Sequence, residues 1–176
     1  MDDWQLRPVT PRDADSLHAL AAKPLVFRYL FDGEAPGRTY IETRMMQAIA
    51  NAGVHPGIGL WVLEAPDAPR SGYVELRPCP AIGWVELTYL LDPAHWGCGI
   101  ATRMAWAAIT RAFMSPTIDT VMAGADLPNV ASLAVIRRLG MRYHHDVRYP
   151  LGAGVEYILN RRDRGPMPRP TPIRMI

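Results

Sequence analysis

The stretch DPAHWGCGIATRMAW, residues 92–106, sets Gly97 and Gly99 directly ahead of an apolar run with helical spacing. Glycine costs a helix about 1 kcal/mol relative to alanine, so a pair of them at a helix mouth needs a reason. The first amides of a helix have no partner within it, and the helix dipole adds partial positive charge there. Two residues without side chains leave those amides open to an anion, and a phosphate or diphosphate is the natural guest. A ligand-free tight turn uses the same residues, so the surrounding sequence has to decide.

Two familiar phosphate binders fail on that context. A P-loop needs Gly-Lys-Ser/Thr, and the single lysine of the chain is Lys23. A dinucleotide fingerprint needs a third small residue where Thr102 stands, and an acid ending a second parallel strand; Asp119 has the spacing but precedes its strand. What leads into the glycines is three strand-like runs, GIGLWVLEA, GYVELRP and GWVELTYLL, separated by the turn-rich PDAPRSG and CPAIG. That is the pattern of an antiparallel meander.

Elsewhere WQLRPV reads as a strand and TPRDADSLHALAA as a helix, with Thr10 as its cap, Pro11 in its first turn and Asp13 at the capping-box position. RTYIETRMMQAIANAG reads as a second helix ending at Gly53. After the glycines follow the helix IATRMAWAAITRAFM, the buried strand DTVMAGA, the helix NVASLAVIRRLG closed by Gly140, and the strands MRYHHDVRYP and GVEYILNR. Alternation along a strand turns His144 and His145 to opposite faces, so they form no metal pair. The chain divides into one domain over 1–162 and a Pro/Arg-rich C-terminal arm over 163–176.

With 176 residues there is enough chain for one core. A net charge of +2 announces neither a nucleic-acid nor a membrane partner, and no apolar run approaches the ~18 residues of a membrane helix. The acidic start MDDWQLRP does not read as a signal peptide. Cys79 and Cys98 make no metal pattern and read as free thiols. The expectation is a cytoplasmic protein that needs no metal.

The whole pattern resembles the GNAT superfamily of acyl-CoA-dependent N-acetyltransferases, above all its Rim-type branch, which modifies ribosomal-protein N-termini. The superfamily motif Gln/Arg-x-x-Gly-x-Gly/Ala is met here by Trp96, Gly97, Cys98, Gly99, Ile100 and Ala101, with Trp96 in place of Gln/Arg as in the Rim branch. VELTYLLDP upstream and PNVASLAVIRRLGMRY downstream extend the similarity, which runs from about Trp4 to Arg161. The resemblance implies an α+β GNAT fold: a splayed, mostly antiparallel seven-stranded sheet flanked by about four helices. It implies acetyl-CoA as co-substrate, its diphosphate on the amides of Trp96 to Thr102, its arm meeting the Leu91 backbone, and Asn129 and Ser132 beside that arm. It puts the amine acceptor, a peptide N-terminus or a small amine, among residues 23–44 (Arg28 and Tyr29) and the loop between the last two strands. A homodimer is compatible with it.

Moving an acetyl group from a thioester to an amine needs a proton acceptor, a donor to the carbonyl oxygen and a proton for the departing sulfur. Strand alternation puts Trp84, Glu86 and Thr88 on one face, and an acid in an otherwise apolar strand is costly without a task, so Glu86 is the candidate base. It also lies where a cationic acceptor would be met; Glu75 has the weaker claim. Many GNAT enzymes carry a tyrosine seven residues after the Asn, but this chain has Ile136 there, which cannot donate. Ser132 is the candidate acid in its place, and Tyr143 is another donor to consider. The alternative function is an acyl-CoA-binding sensor or interaction subunit without catalysis.

Overall fold

A computed structural model describes residues 3–166 and 173–176. Its sheet grows from the expected meander. β1 (Gln5–Pro8) pairs antiparallel with β2 (Gly59–Ala65), β2 with β3 (Ala68–Pro78), and β3 with β4 (Trp84–Leu91). β5 (Thr120–Asp126) lies parallel to β4, and β7 (Gly152–Asn160) and β6 (Arg142–Tyr149) follow antiparallel. The expected turn PDAPRSG shrinks to Pro66–Asp67, so β3 begins earlier than its apolar residues suggest.

The order is β6-β7-β5-β4-β3-β2-β1-β8, eight strands where seven were expected. The eighth, β8 (Arg174–Met175), comes from the end of the C-terminal arm and lies parallel to β1, beside a buried Ile173. Residues 167–172 of that arm lie outside the described residues. Helices α1 (Ala14–Ala21), α3 (Arg38–Val54), α4 (Ile100–Met114) and α5 (Val130–Arg138) occupy the expected segments. A fifth, α2 (Pro24–Phe27), is a single turn started by Pro24 at its first position, too short for any periodicity to betray it.

Alternation along β4 divides the interior in two. Val85, Leu87 and Leu91 join α4 and α5 through Met104, Ile109 and Ile136 on one side. Leu90 joins α1 and α3 through Leu17, Leu20, Ile41 and Met45 on the other. Burying each such side chain contributes about 1.5–3 kcal/mol, so both helix pairs are held to the sheet from opposite faces. Alternation fails on β6, where the register shifts between Tyr143 and His145. His144 is the extra residue of a bulge, and its ring comes within 4.6 Å of the His145 ring, centroid to centroid, instead of facing away. Among the described residues no helix is long and apolar enough to cross a membrane.

The entry to α1 is fixed by a charge cluster. Asp13 is 1% exposed; it takes Nη1 and Nη2 of Arg7 at 2.8 Å each, Nε of Arg70 at 3.1 Å, and the Thr10 amide and hydroxyl at 2.8 and 2.9 Å. Burial alone would raise its carboxyl, but the Arg7, Thr10 and Arg70 bonds more than offset that and hold it far below the usual carboxylate range. Asp13→Asn is expected to cost about 3–5 kcal/mol, since it leaves guanidinium charge without its partner, and urea denaturation measures this. With a depressed folded value, the wild-type contribution is complete above about pH 4 and is lost as pH falls below it toward the folded value; in Asp13→Asn that acid limb should flatten.

Candidate active site

β4 and β5 are paired only at Trp84–Thr120, Val85–Val121 and Glu86–Met122. Beyond that point they part. The Trp84 carbonyl accepts from the Cys79 amide at 3.0 Å and the Asp92 amide donates to the Ser71 carbonyl at 2.8 Å, so the even-numbered peptide groups of β4 face β3. Successive peptide groups alternate, and Leu87, Tyr89 and Leu91 therefore turn theirs to the gap. The Leu91 carbonyl is already taken, by the Trp96 indole Nε1 at 2.8 Å, which ties the glycine loop to the end of β4.

The glycines adopt left-handed backbone, with φ of 79° at Gly97 and 75° at Gly99. A Cβ placed on either meets no atom within 4 Å. Conformation, not crowding within the chain, is what requires glycine here, and the space in front stays open for a ligand. The first bond closing this end of α4 runs from the Arg103 amide to the Gly99 carbonyl at 3.2 Å. The amides ahead of it are the orphan donors of the helix mouth. In the first turn, Thr102 is 7% exposed and its Oγ1 is buried without a partner among the described residues. An unmade hydroxyl bond beside orphan amides fits a bound phosphate oxygen.

The gap and the helix mouth open into one cavity of about 850 Å³. On its α5 side Asn129 caps the helix, its Oδ1 accepting from the Ser132 amide at 3.2 Å. Ser132 Oγ lies 2.9 Å from the Tyr89 hydroxyl. Burial pushes the Tyr89 phenol up to about 12, offset in part by this bond, so it stays protonated and able to donate at neutral pH.

Most cavity charges on the opposite, α1/α3 side are paired. Arg77 places Nε at 2.8 Å and Nη2 at 2.6 Å from the same Glu86 oxygen, Oε2. Arg44 holds Glu75 at 2.7 Å, and the Arg28 guanidinium stands 5.5 Å from the centre of the Tyr29 ring. Gly33 brings its backbone against Leu151, so the loop after α2 touches the β6–β7 turn and the two close one end of the cavity. The Tyr149 ring lies across Gly124 and Gly154, in volume that a Cβ on either would enter.

Residues 4–142 match the family model of the acetyltransferase (GNAT) domain. The chain belongs to the GNAT acetyltransferase family. Solved structures share the architecture at low identity, which speaks for the fold. AAC(6')-Ib in complex with ribostamycin and coenzyme A is 16% identical, with TM-score 0.74 over 92% of this chain and 96% of that one. Mycobacterium smegmatis RimJ in complex with CoA-disulfide is 18% identical, with TM-score 0.72 over 90% and 82%. An acetyltransferase from Agrobacterium tumefaciens is 21% identical, with TM-score 0.73 over 89% and 90%.

In this GNAT domain the residues singled out from sequence converge on one cavity. Arg28, Tyr29, Glu86, Leu91, Trp96, Gly97, Gly99, Ile100, Ala101, Thr102, Asn129 and Ser132 all line it. Cys98 does not; its side chain is exposed, with Sγ 3.5 Å from the Trp96 carbonyl. Tyr143 lies exposed on β6, outside the cavity. Among the described residues no group of three or more His, Cys, Asp or Glu is placed to hold a metal ion. Sequence reasoning missed Tyr89, Asp126 and Tyr149, which also line the cavity. For Asp126 the available signal was an acid ending an otherwise apolar strand.

Two glycine substitutions separate backbone conformation from ligand binding. Gly99→Ala should lower unfolding free energy by about 1–2 kcal/mol through left-handed strain. Gly53→Ala, in the last turn of α3 with open space at its Cβ, should raise it by about 0.5 kcal/mol, both read by urea denaturation.

Proposed function

We propose that this chain is an acetyl-CoA-dependent N-acetyltransferase that moves the acetyl group directly to a primary amine, carried by a small molecule or a polypeptide N-terminus. The observation that carries the reading is the junction of two unsatisfied surfaces in one cavity: the helix mouth with its orphan amides and the Thr102 hydroxyl, and the β4 edge from the Leu87 carbonyl through the Tyr89 peptide groups to the Leu91 amide. The first suits a diphosphate. The second suits an extended arm bearing amides, which can bond to an open strand edge as another strand would. Coenzyme A joins these two chemistries in one molecule, and the named relatives solved with it share the fold.

Acetyl-CoA would supply the activated thioester. Glu86 then has the place of proton acceptor: Arg77 occupies Oε2, and no partner meets Oε1 among the described residues. The same carboxylate attracts a protonated amine before the proton leaves. A backbone amide of the β4 edge serves as donor to the carbonyl oxygen as charge gathers on it. Ser132 returns a proton to the departing sulfur, and the Tyr89 hydroxyl, 2.9 Å away, replenishes it. This couple does the work of the tyrosine that Ile136 cannot do. Arg28 and Tyr29 flank the acceptor side of the cavity.

Purified protein offered acetyl-CoA and a panel of amines, with thiol release followed, tests the reading. Turnover of at least one amine is expected. Tight coenzyme A binding with no release on any amine or N-terminal peptide would favour a binding subunit instead. Glu86→Gln should lower kcat by roughly 100-fold or more while leaving acetyl-CoA affinity within about twofold by calorimetry. An unchanged kcat across pH would remove the role of Glu86.

A further inference from the structure

Asp126 stands apart from the other acids of the cavity. It is 7% exposed, lines the cavity, and its Oδ1 is buried with no partner among the described residues. Glu75 and Glu86 face the same space, but each is held by an arginine. A buried carboxylate without a cation is expensive, so it either has a structural duty or awaits a partner. The obvious duty would be to close the turn that follows β5. That turn is closed by backbone instead, the Asn129 amide donating to the Asp126 carbonyl at 2.9 Å. The side chain is left over.

Its place in the sheet says what it faces. Glu86 and Met122 are partners, and Asp126 lies four residues further along β5 on the same face. At ~3.3 Å per residue that is roughly 13 Å, so one ammonium group cannot serve both acids. Asp126 is paired in register with Gly154, and the Tyr149 ring lies over Gly154 and reaches across to Gly124. An aromatic ring therefore stands beside the free carboxylate. A carboxylate with an aromatic neighbour in a water-poor pocket is a seat for an organic ammonium ion. Burial pushes the Asp126 carboxyl up, offset only in part by its own backbone amide, as expected of an acid lacking its cation.

We infer that Asp126, with the Tyr149 ring beside it, binds a second ammonium group of the acceptor, so that the preferred substrates are small di- or polyamines whose reacting nitrogen lies at Glu86 and whose other charge lies at Asp126. This rests on the proposed N-acetyltransferase reading for the position of the reacting nitrogen, whereas binding at Asp126 can be measured without turnover. Asp126 takes no part in proton transfer here. Its contribution is to affinity and to the choice of substrate.

The test uses straight-chain diamines from diaminobutane to diaminodecane, each against the monoamine of equal carbon count. With acetyl-CoA and wild-type protein, KM for the best diamine should be at least about tenfold below that of its monoamine, with an optimum inside the series rather than a steady fall with chain length. Asp126→Asn should raise the diamine KM by about tenfold to 100-fold, to the monoamine value, with kcat within twofold and monoamine kinetics unchanged. Asp126→Glu, which keeps the charge, should recover part of the preference. Equal KM for diamines and monoamines in the wild type would overturn the inference, as would an Asp126→Asn effect on kcat shared by both series. If nothing in this panel is acetylated, the N-acetyltransferase reading is left to the wider panel of amines and N-terminal peptides, and calorimetry decides the Asp126 seat: diamine binding to the coenzyme A-saturated protein, lost in Asp126→Asn, upholds it, and no binding to wild type refutes it.

Discussion

A sheet that stops pairing halfway along two neighbouring strands has left hydrogen bonds unmade, and everything distinctive about this molecule follows from that. Peptide groups withdrawn from water without partners are costly, and folded chains almost always satisfy them. From the Leu87 carbonyl to the Leu91 amide the edge of β4 facing β5 is open, because the two strands part beyond Glu86–Met122. The free donors and acceptors then lie in a line, ready for a ligand shaped like a strand. The glycine loop continues that line: Trp96 fastens it to the Leu91 carbonyl, and the left-handed turns at Gly97 and Gly99 aim the mouth of α4 at the same space.

The two sides of the opening have different electrical characters. Toward α4 and α5 the donors are backbone amides and hydroxyls, and burial pushes the Tyr89 phenol there further above the range in which it would lose its proton. Toward α1 and α3 two of the acids are matched with arginines, Glu75 with Arg44 and Glu86 with Arg77. Such matching keeps carboxylates in position without leaving the face strongly charged. One side suits an anion and an amide-bearing arm. The other suits a molecule whose own charge is selected by the few side chains not already matched.

Much of this is legible in the sequence because it is local. The meander announces itself by alternation and turn residues, the long helices by periodicity, and the loop by its glycines; family resemblance then supplies the splayed, mostly antiparallel sheet, but not which strands run parallel. What is not legible is what depends on distance along the chain. Tyr89 and Ser132 are 43 residues apart, and strand alternation alone marks Tyr89 as a packing residue. The Arg77 contact to Glu86 depends on the β3–β4 register, which sequence leaves open by a residue or more. The bulge at His144 defeats alternation because one inserted residue turns a side chain without any change in composition. β8 has only two residues, and its partner strand begins near the other end of the chain.

The seat of Tyr149 carries a consequence for how this protein can change. Its ring fills volume that side chains at Gly124 and Gly154 would need, so the three positions are interlocked although they lie on three different strands. A bulkier residue at Gly124 is harmful while the ring is there and tolerable once it has gone, whereas a Cβ at Gly154 would still come 2.9 Å from the Ala125 carbonyl. Drift at Gly124 is therefore epistatic: loss of the aromatic has to come first, and a lineage that has then filled this glycine cannot easily recover it. Homologues with a different acceptor should differ at Tyr149 and Gly124 together.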